Sequence, residues 1–239
     1  MDENWIRSIK ASWQMSYDKN IVKKPWGYEY LMYQNDNVAL WFLHIKNGEK
    51  TSMHCHPNKT TGLVLVDGEV EVSFFSNVNK LTPLSKIMIR KGLFHSTQAI
   101  SEGGAYVLEI ETPVDKQDLV RFQDSYGREG KPYEDSTHEY PKENECVWIL
   151  EPEKGKSLTY KINNSSLNIH NIESVDFFNT LDDEMNVMFL KGGIMTDYNI
   201  NVAAPGDVVN ASVLKKIIKI FYKIQDNTVI MVMDKNDKL

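Results

Sequence analysis

An all-β sandwich or barrel with a short helix in front of it is the fold class this sequence predicts, and three observations predict it. From Val22 onward the apolar residues fall in short runs, either alternating or continuous, over 38–45, 62–66, 69–75, 86–90 and 106–111. Turn-forming pieces separate these runs, among them Gln34-Asn35-Asp36-Asn37, Lys46-Asn47-Gly48 and Glu102-Gly103-Gly104. A second set with the same cadence follows over 146–150, 157–161, 187–190, 194–202, 217–224 and 228–233. Short strands at regular spacing with such turns indicate a sandwich or barrel. Their recurrence suggests two related β modules, although no identity ties the halves at a fixed period.

Taken in chain order, residues 1–20 read as an amphipathic helix. Trp5, Ile6, Ile9 and Trp13 lie near helical spacing, and Asp2 and Glu3 favour the helix N-terminus. The expectation is an arm packed on the body or on a second subunit. Between the runs at 62–66 and 69–75, Asp67-Gly68 is a hairpin signal, because a tight primed turn needs positive φ. Residues 115–145 are polar and contain Pro and Gly, which reads as a connection with a turn of helix near 118–123. Ala203-Ala204-Pro205-Gly206-Asp207 is a further turn. The expected division is an arm over 1–20, a barrel over 21–130, a linker over 131–145 and a second β domain over 146–239.

Composition narrows the function classes. The chain has 239 residues, enough for one large domain or two modest ones with a core that needs no staples. Lys and Arg number 27 against 33 Asp and Glu, a net charge of −6 that argues against nucleic acid as a partner. Two cysteines, Cys55 and Cys146, are too few for a disulfide framework and suggest a reducing compartment. No apolar run approaches the roughly 20 residues of a membrane span. The acidic N-terminus is unlike a signal peptide, so the expected location is the cytoplasm, with no membrane partner.

The chemistry concentrates around histidine. His54 and His56 flank Cys55, and in an extended strand residues two apart share a face, so Lys50, Ser52, His54 and His56 are expected to point together. Two imidazoles on one face can grip a single metal ion. His95, in a Gly-led β segment, could bring a third imidazole across a barrel. His44 reads as a hydrogen-bonded core or surface residue, and His138 and His170 as solvated. Lys50 could meet a phosphate or carboxylate as a point charge. Glu109 and Glu111 share one strand face and are candidates for a general base or a stand-in ligand, against the plainer reading of a solvated face. Thr97 shares the face of His95 and could line a pocket. Cys55 alternates away from the histidines and reads as a packed thiol.

Spacing adds a family resemblance. Gly48, five residues, His54, one residue, His56, four residues, Thr61, six residues and Gly68 together resemble the first motif of the cupin superfamily, with Thr61 where a metal-binding Glu is usual. Lys91-Gly92-Leu93-Phe94-His95 resembles the second motif, with Arg90 for the usual Pro and Ala99 for the usual Asn. Lys24-Pro25-Trp26-Gly27-Tyr28-Glu29 is similar to the opening strand of mannose-6-phosphate isomerase-like cupins of sugar-activation pathways. The resemblance covers about residues 22–113. It implies a double-stranded β-helix barrel holding one divalent metal ion, Zn, Fe, Ni or Co, on His54, His56 and His95. With Thr61 in place of the carboxylate, three neutral imidazoles leave the ion its full charge and an open position for an anionic oxygen. The second half has no histidine in metal-ligand spacing, so it is expected to be a degenerate cupin barrel that covers the first and shapes a homodimer interface.

The function the resemblance implies is a metal-dependent isomerase or epimerase acting on a sugar phosphate or activated sugar, in polysaccharide or nucleotide-sugar biosynthesis. Lys50, Glu109 and Glu111 are its candidate catalytic residues, and Lys50, Thr61 and Thr97 its candidate substrate contacts. Two alternatives stay open: a three-histidine Fe(II) dioxygenase, and a sugar-binding or regulatory cupin without catalysis. Lys50 beside a metal with neutral ligands implies a locally positive well that selects small anionic ligands.

Overall fold

The structure, a computed structural model, describes residues 19–131, 133, 138–139 and 146–235. The expected helix over 1–20 lies outside the described residues except for its last two positions, and so does most of the linker expected over 131–145. The first twelve strands are β1 (Ile21–Lys24), β2 (Gly27–Gln34), β3 (Ala39–Ile45), β4 (Met53–Cys55), β5 (Thr60–Asp67), β6 (Val70–Phe74), β7 (Val78–Leu81), β8 (Lys86–Ile89), β9 (His95–Ala99), β10 (Ala105–Thr112), β11 (Val120–Gln123) and β12 (His138–Glu139). They form two antiparallel sheets, ordered β12-β1-β2-β3-β10-β5-β8 and β11-β4-β9-β6-β7. Counting β3 to β10 from one to eight, the orders are 1-8-3-6 and 2-7-4-5, the double Greek key of a jelly roll. That is the double-stranded β-helix the sequence motifs imply.

The second half repeats the plan with one strand missing. Its strands are β13 (Ser157–Ile162), β14 (Ser165–Ile172), β15 (Asn186–Lys191), β16 (Ile194–Met195), β17 (Asn201–Ala203), β18 (Val208–Asn210), β19 (Lys223–Ile224) and β20 (Thr228–Lys235). Their sheets run β13-β14-β20-β15-β18 and β17-β16-β19. In the place that β4 takes in the first barrel, a 3₁₀ helix, Val175–Thr180, stands between β14 and β15. The strand that carries His54 and leads into His56 therefore has no counterpart here, and no matching group of metal-ligating side chains stands among the described residues of this half.

Four sheet layers result, with three apolar cores between them. Trp41, Leu63, Val70, Val72, Ala99 and Val107 fill the first barrel, while Phe178, Val187, Phe189, Ile194, Leu214 and Val232 belong to the core of the second. Between the barrels, Phe42, Val64, Leu108 and Ile110 pack against Leu167, Met188, Met231 and Met233. The larger sheet of the first barrel is thus covered on both faces, which explains the continuous apolar run ALWFLHI in β3. It also gives meaning to alternation in β10: Leu108 and Ile110 face the second barrel, so Val107, Glu109 and Glu111 face the interior of the first.

Four local expectations change. Asp67-Gly68 joins strands of opposite sheets, so it forms a corner and not a hairpin; Gly68 has φ +85°, which serves either turn, and strand partners decide between them. Residues 118–123 form no helical turn. Instead β11 pairs with β4, turning Arg121 inward and Val120 and Phe122 outward. Of the run expected as a strand over 217–224 only Lys223–Ile224, β19, is strand; residues 218–220 form a turn after a helix, α1 (Ala211–Ile217), which buries Ala211, Leu214 and Ile218 at helical spacing. Lys215 and Lys216 in its last turn suit the helix dipole. Residues 146–150 form no strand, although the Ile149 amide donates to the Met32 carbonyl at 3.1 Å.

Candidate metal centre and its pocket

His54 projects from β4, His56 follows directly after its end, and His95 begins β9, where it pairs directly opposite His54. All three are buried, and a ligand atom from each lies within 4.8 Å of the others. The ring orientations are set by the backbone. Nδ1 of His54 lies 2.7 Å from the Ser52 carbonyl, Nδ1 of His56 lies 2.6 Å from the Asp118 carbonyl, and Nδ1 of His95 lies 3.0 Å from the Leu93 carbonyl. A carbonyl can only accept, so each Nδ1 carries its proton and donates. Each Nε2 is then left with a lone pair, the tautomer a metal ligand needs. Nε2 of His56 is buried and has no hydrogen-bond partner.

Charge agrees with this assignment. Burial lowers the pKa of all three rings; nearby Lys59 also lowers each, and the other two imidazoles lower His54. His56 falls to about 2 and His95 to about 4, so the cluster is neutral near pH 7. Three neutral imidazoles with an orphaned buried nitrogen among them fit a divalent ion of the Zn, Fe, Ni or Co kind.

Beside this cluster is a cavity of ≈ 60 Å³ lined by His54, His56 and Glu109 together with Lys59, Lys116 and Arg121. Lys24, Trp26 and Glu29 from the Lys24–Glu29 motif line it too, as do Arg128 and Tyr133. A network of buried ions makes up its wall. Lys116 lies 3.3 Å from Glu29 and 3.6 Å from Glu111, with its ammonium 3.7 Å from the Trp41 ring centroid. Lys59 is ion-paired to Glu111, and Tyr133 donates its hydroxyl to Glu29. Lys24 sits 3.8 Å from Glu29 and 3.7 Å from the Tyr133 ring centroid.

The carboxylates in this network differ. Burial alone would raise Glu29, but Lys116, Lys24 and the Tyr133 hydroxyl outweigh it and bring the pKa down to about 2. For Glu109, burial dominates; Lys116 opposes it and Glu111 adds to it, and the result is about 7. Lys116 is shifted above its ordinary range, because its acidic neighbours outweigh the burial that would lower it.

The sequence-derived candidates divide. The structure brings together His54, His56 and His95, and it turns Glu109 and Glu111 into the barrel, not onto a solvated face. Thr61 also faces inward, almost fully buried, with its Oγ1 lacking a hydrogen-bond partner. Thr97 is buried on β9, but its backbone is tied to Thr51 and it does not line the cavity. Lys50 is exposed, bridges to Gln98 and lies outside the cavity, which corrects the expectation that it shares the histidine face. Strand β4 begins only at Met53, so alternation does not reach back to residue 50. The positive charge inside the barrel comes from Lys24, Lys59 and Lys116 instead. His44 is half-buried on the opposite face, stacked at 4.6 Å on Tyr106. Cys55 is buried, and burial raises its thiol pKa.

Sequence reasoning missed Lys59, Lys116, Asp118 and Arg121. Asp118 is the clamp of the site: its carboxylate accepts from the backbone amides of Asn58 and Lys59 at 2.9 and 3.0 Å while its carbonyl orients His56. Nothing local marks it. Lys59 stands three residues after His56, and Lys24 and Glu29 lie in the quoted motif, so these carried a signal.

No protein-family model matches the chain, and no curated protein sequence does. Among solved structures it is similar to KdgF from a Halomonas species, at 14% identity over 41% of this chain and 91% of that one, with a TM-score of 0.39. An RmlC-like cupin from Shewanella frigidimarina matches at 15% identity over 40% and 85%, TM-score 0.37. A sugar phosphate isomerase of the cupin superfamily from Silicibacter pomeroyi matches at 11% identity over 41% and 62%, TM-score 0.35. No helix among the described residues is long and apolar enough to cross a membrane.

Proposed function

We propose that this chain is a metal-dependent enzyme of the cupin kind that isomerises or epimerises a small anionic substrate, a sugar phosphate or activated sugar. One observation carries the reading: three Nδ1-tethered imidazoles converge beside a pocket that holds both a titrating carboxylate and several cations. His54, His56 and His95 would hold the ion through Nε2. When bound, a divalent ion supplies Lewis-acid polarisation of carbonyl and hydroxyl oxygens. The remaining work belongs to side chains. Lys59, Lys116 and Arg121 attract and orient an anionic group, and the apolar wall of Trp26 and Leu43 limits water. Glu109 titrates near neutral pH and exchanges a proton with the substrate, giving one and taking one back, as general acid–base catalysis requires. That the Lys24–Glu29 motif lines this pocket supports the sugar-phosphate reading, since those residues carry the resemblance to sugar-activation cupins.

The test is elemental analysis of protein purified without chelator, followed by turnover assays on aldose and ketose phosphates. About one ion per chain is expected, lost when His54 and His56 are both replaced by Ala. Retention of metal in that double variant would overturn the ligand set. A strict Fe(II) requirement with O₂ consumption would overturn isomerisation in favour of oxygenation.

A further inference from the structure

Three interior carboxylates surround the pocket, and two of them are pinned. Glu29 is held by the Tyr133 hydroxyl, Lys116 and Lys24, and Glu111 by Lys59 and Lys116. Glu109 differs. It lines the cavity, and it makes no hydrogen bond or ion pair with the described residues. Its strand neighbours on either side are Trp41 and Leu63, which give its carboxylate nothing in place of water. Lys116 is the cation that favours its charge most, and that ammonium is shared with Glu29 and Glu111.

The remaining charges around Glu109 come from every side of the barrel mouth: Lys24 from β1, Glu29 from β2, Lys59 ahead of β5 and Arg121 from β11. Arg128 faces the same cavity and is held by Asp124 at 2.6 Å, while His54 on β4 and His56 just after it are neutral. Among the described residues the carboxylates Glu29, Glu109 and Glu111 face these cations, and Asp124 holds Arg128. Protonating Glu109 adds one unit of positive charge to the pocket. An entering anion and a charged Glu109 compete for the same cations, and burial strengthens their mutual repulsion.

We propose that the pocket binds an anionic ligand together with one proton, and that the proton resides on Glu109. The proposal rests on the anionic-substrate reading above and needs no metal. It selects ligands with a phosphate or sulfate-like group at neutral to mildly acidic pH, and it separates Glu109, which exchanges protons, from Glu111 and Glu29, which are fixed counter-ions. Proton-linked binding has a defined sign. The ligand raises the pKa of Glu109, so affinity is highest below that pKa and falls as pH rises through it.

The experiment is calorimetric titration of the full chain with sulfate, whose charge does not change between about pH 6 and about pH 8.5, in paired buffers of different ionisation enthalpy. Affinity should fall with rising pH, by up to about tenfold per pH unit, and proton uptake should be about one half per anion near pH 7 and rise toward one at about pH 8.5. In Glu109→Gln the uptake should vanish and affinity should stay at or above the low-pH value throughout. Sulfate binding with no proton uptake in the wild type, or equal uptake in the variant, would overturn the coupling while leaving the proposed function standing. Failure to bind sulfate at any pH would overturn both.

Discussion

Replacing Glu109 by Gln should make the protein more stable in mild alkali and nearly unchanged in acid, the opposite of what removing a charge from a salt-bridged site does. Burial between Trp41 and Leu63 raises the folded-state pKa of Glu109 from 4.5 to about 7. A raised carboxyl pKa means that the folded state holds its proton more tightly than the unfolded chain does. Stability therefore declines as pH climbs from about 4.5 through about 7, as this half-buried group is forced to ionise. At 1.36 kcal/mol per pKa unit, the cost of charged Glu109 reaches about 3 kcal/mol at pH 8.5 and is under about 0.5 kcal/mol near pH 4.5. Gln removes the ionisation and keeps the shape, and Lys116 retains Glu29 and Glu111 as partners. For a chain of this length the gain corresponds to a rise in Tm of roughly 6–12 °C at the higher pH. Thermal melts of wild type and variant at the two pH values measure it. An equal shift at both pH values, or a loss of stability in alkali, would mean that Glu109 is ionised and held by Lys116 in the folded state.

Lys116→Met should cost about 3–5 kcal/mol in urea unfolding, because it leaves Glu29 and Glu111 buried with reduced compensation. Lys50→Ala, at an exposed site outside the pocket, should stay within about 0.5 kcal/mol of wild type. Thr61→Val should stabilise the protein by about 1 kcal/mol, since it removes a buried hydroxyl oxygen that has no hydrogen-bond partner. If Thr61 contacts substrate, the same variant should weaken ligand binding while it raises Tm; a drop in Tm would show that the hydroxyl is satisfied in the folded protein.

Much of the architecture was legible before any coordinates. Runs such as 38–45 and 106–111 became β3 and β10 within a residue or so, and the turns between them fell where Gly and Asn clusters stand. The His54–His56 pair was readable because two residues of strand suffice to put both rings on one face. Its third member, His95, was only a candidate until the motif resemblance paired it with them, since it stands 39 positions after His56. Strand β14 carries a short strand signal, Leu167-Asn168-Ile169-His170 alternating apolar and polar, but opens on the polar pair Ser165-Ser166. Helix α1 was hidden by the β-like run that follows it, although Ala211, Leu214 and Ile218 carry the helical period.

The sequence by itself determined the elements whose identity depends on neighbours along the chain: the strands, the turns between them, and the shared face of His54 and His56. Only the tertiary structure decided what depends on segments meeting. It replaced Lys50 by Lys59 and Lys116 as the interior cations, turned Glu109 and Glu111 inward, and left Glu109 without the partners that Glu29 and Glu111 have. It also made Asp67-Gly68 a corner between sheets. The reason is physical. Backbone conformation and face alternation are local, set by each residue and the next few, whereas the charge state of a buried group is set by whatever other strands bring within a few ångströms of it.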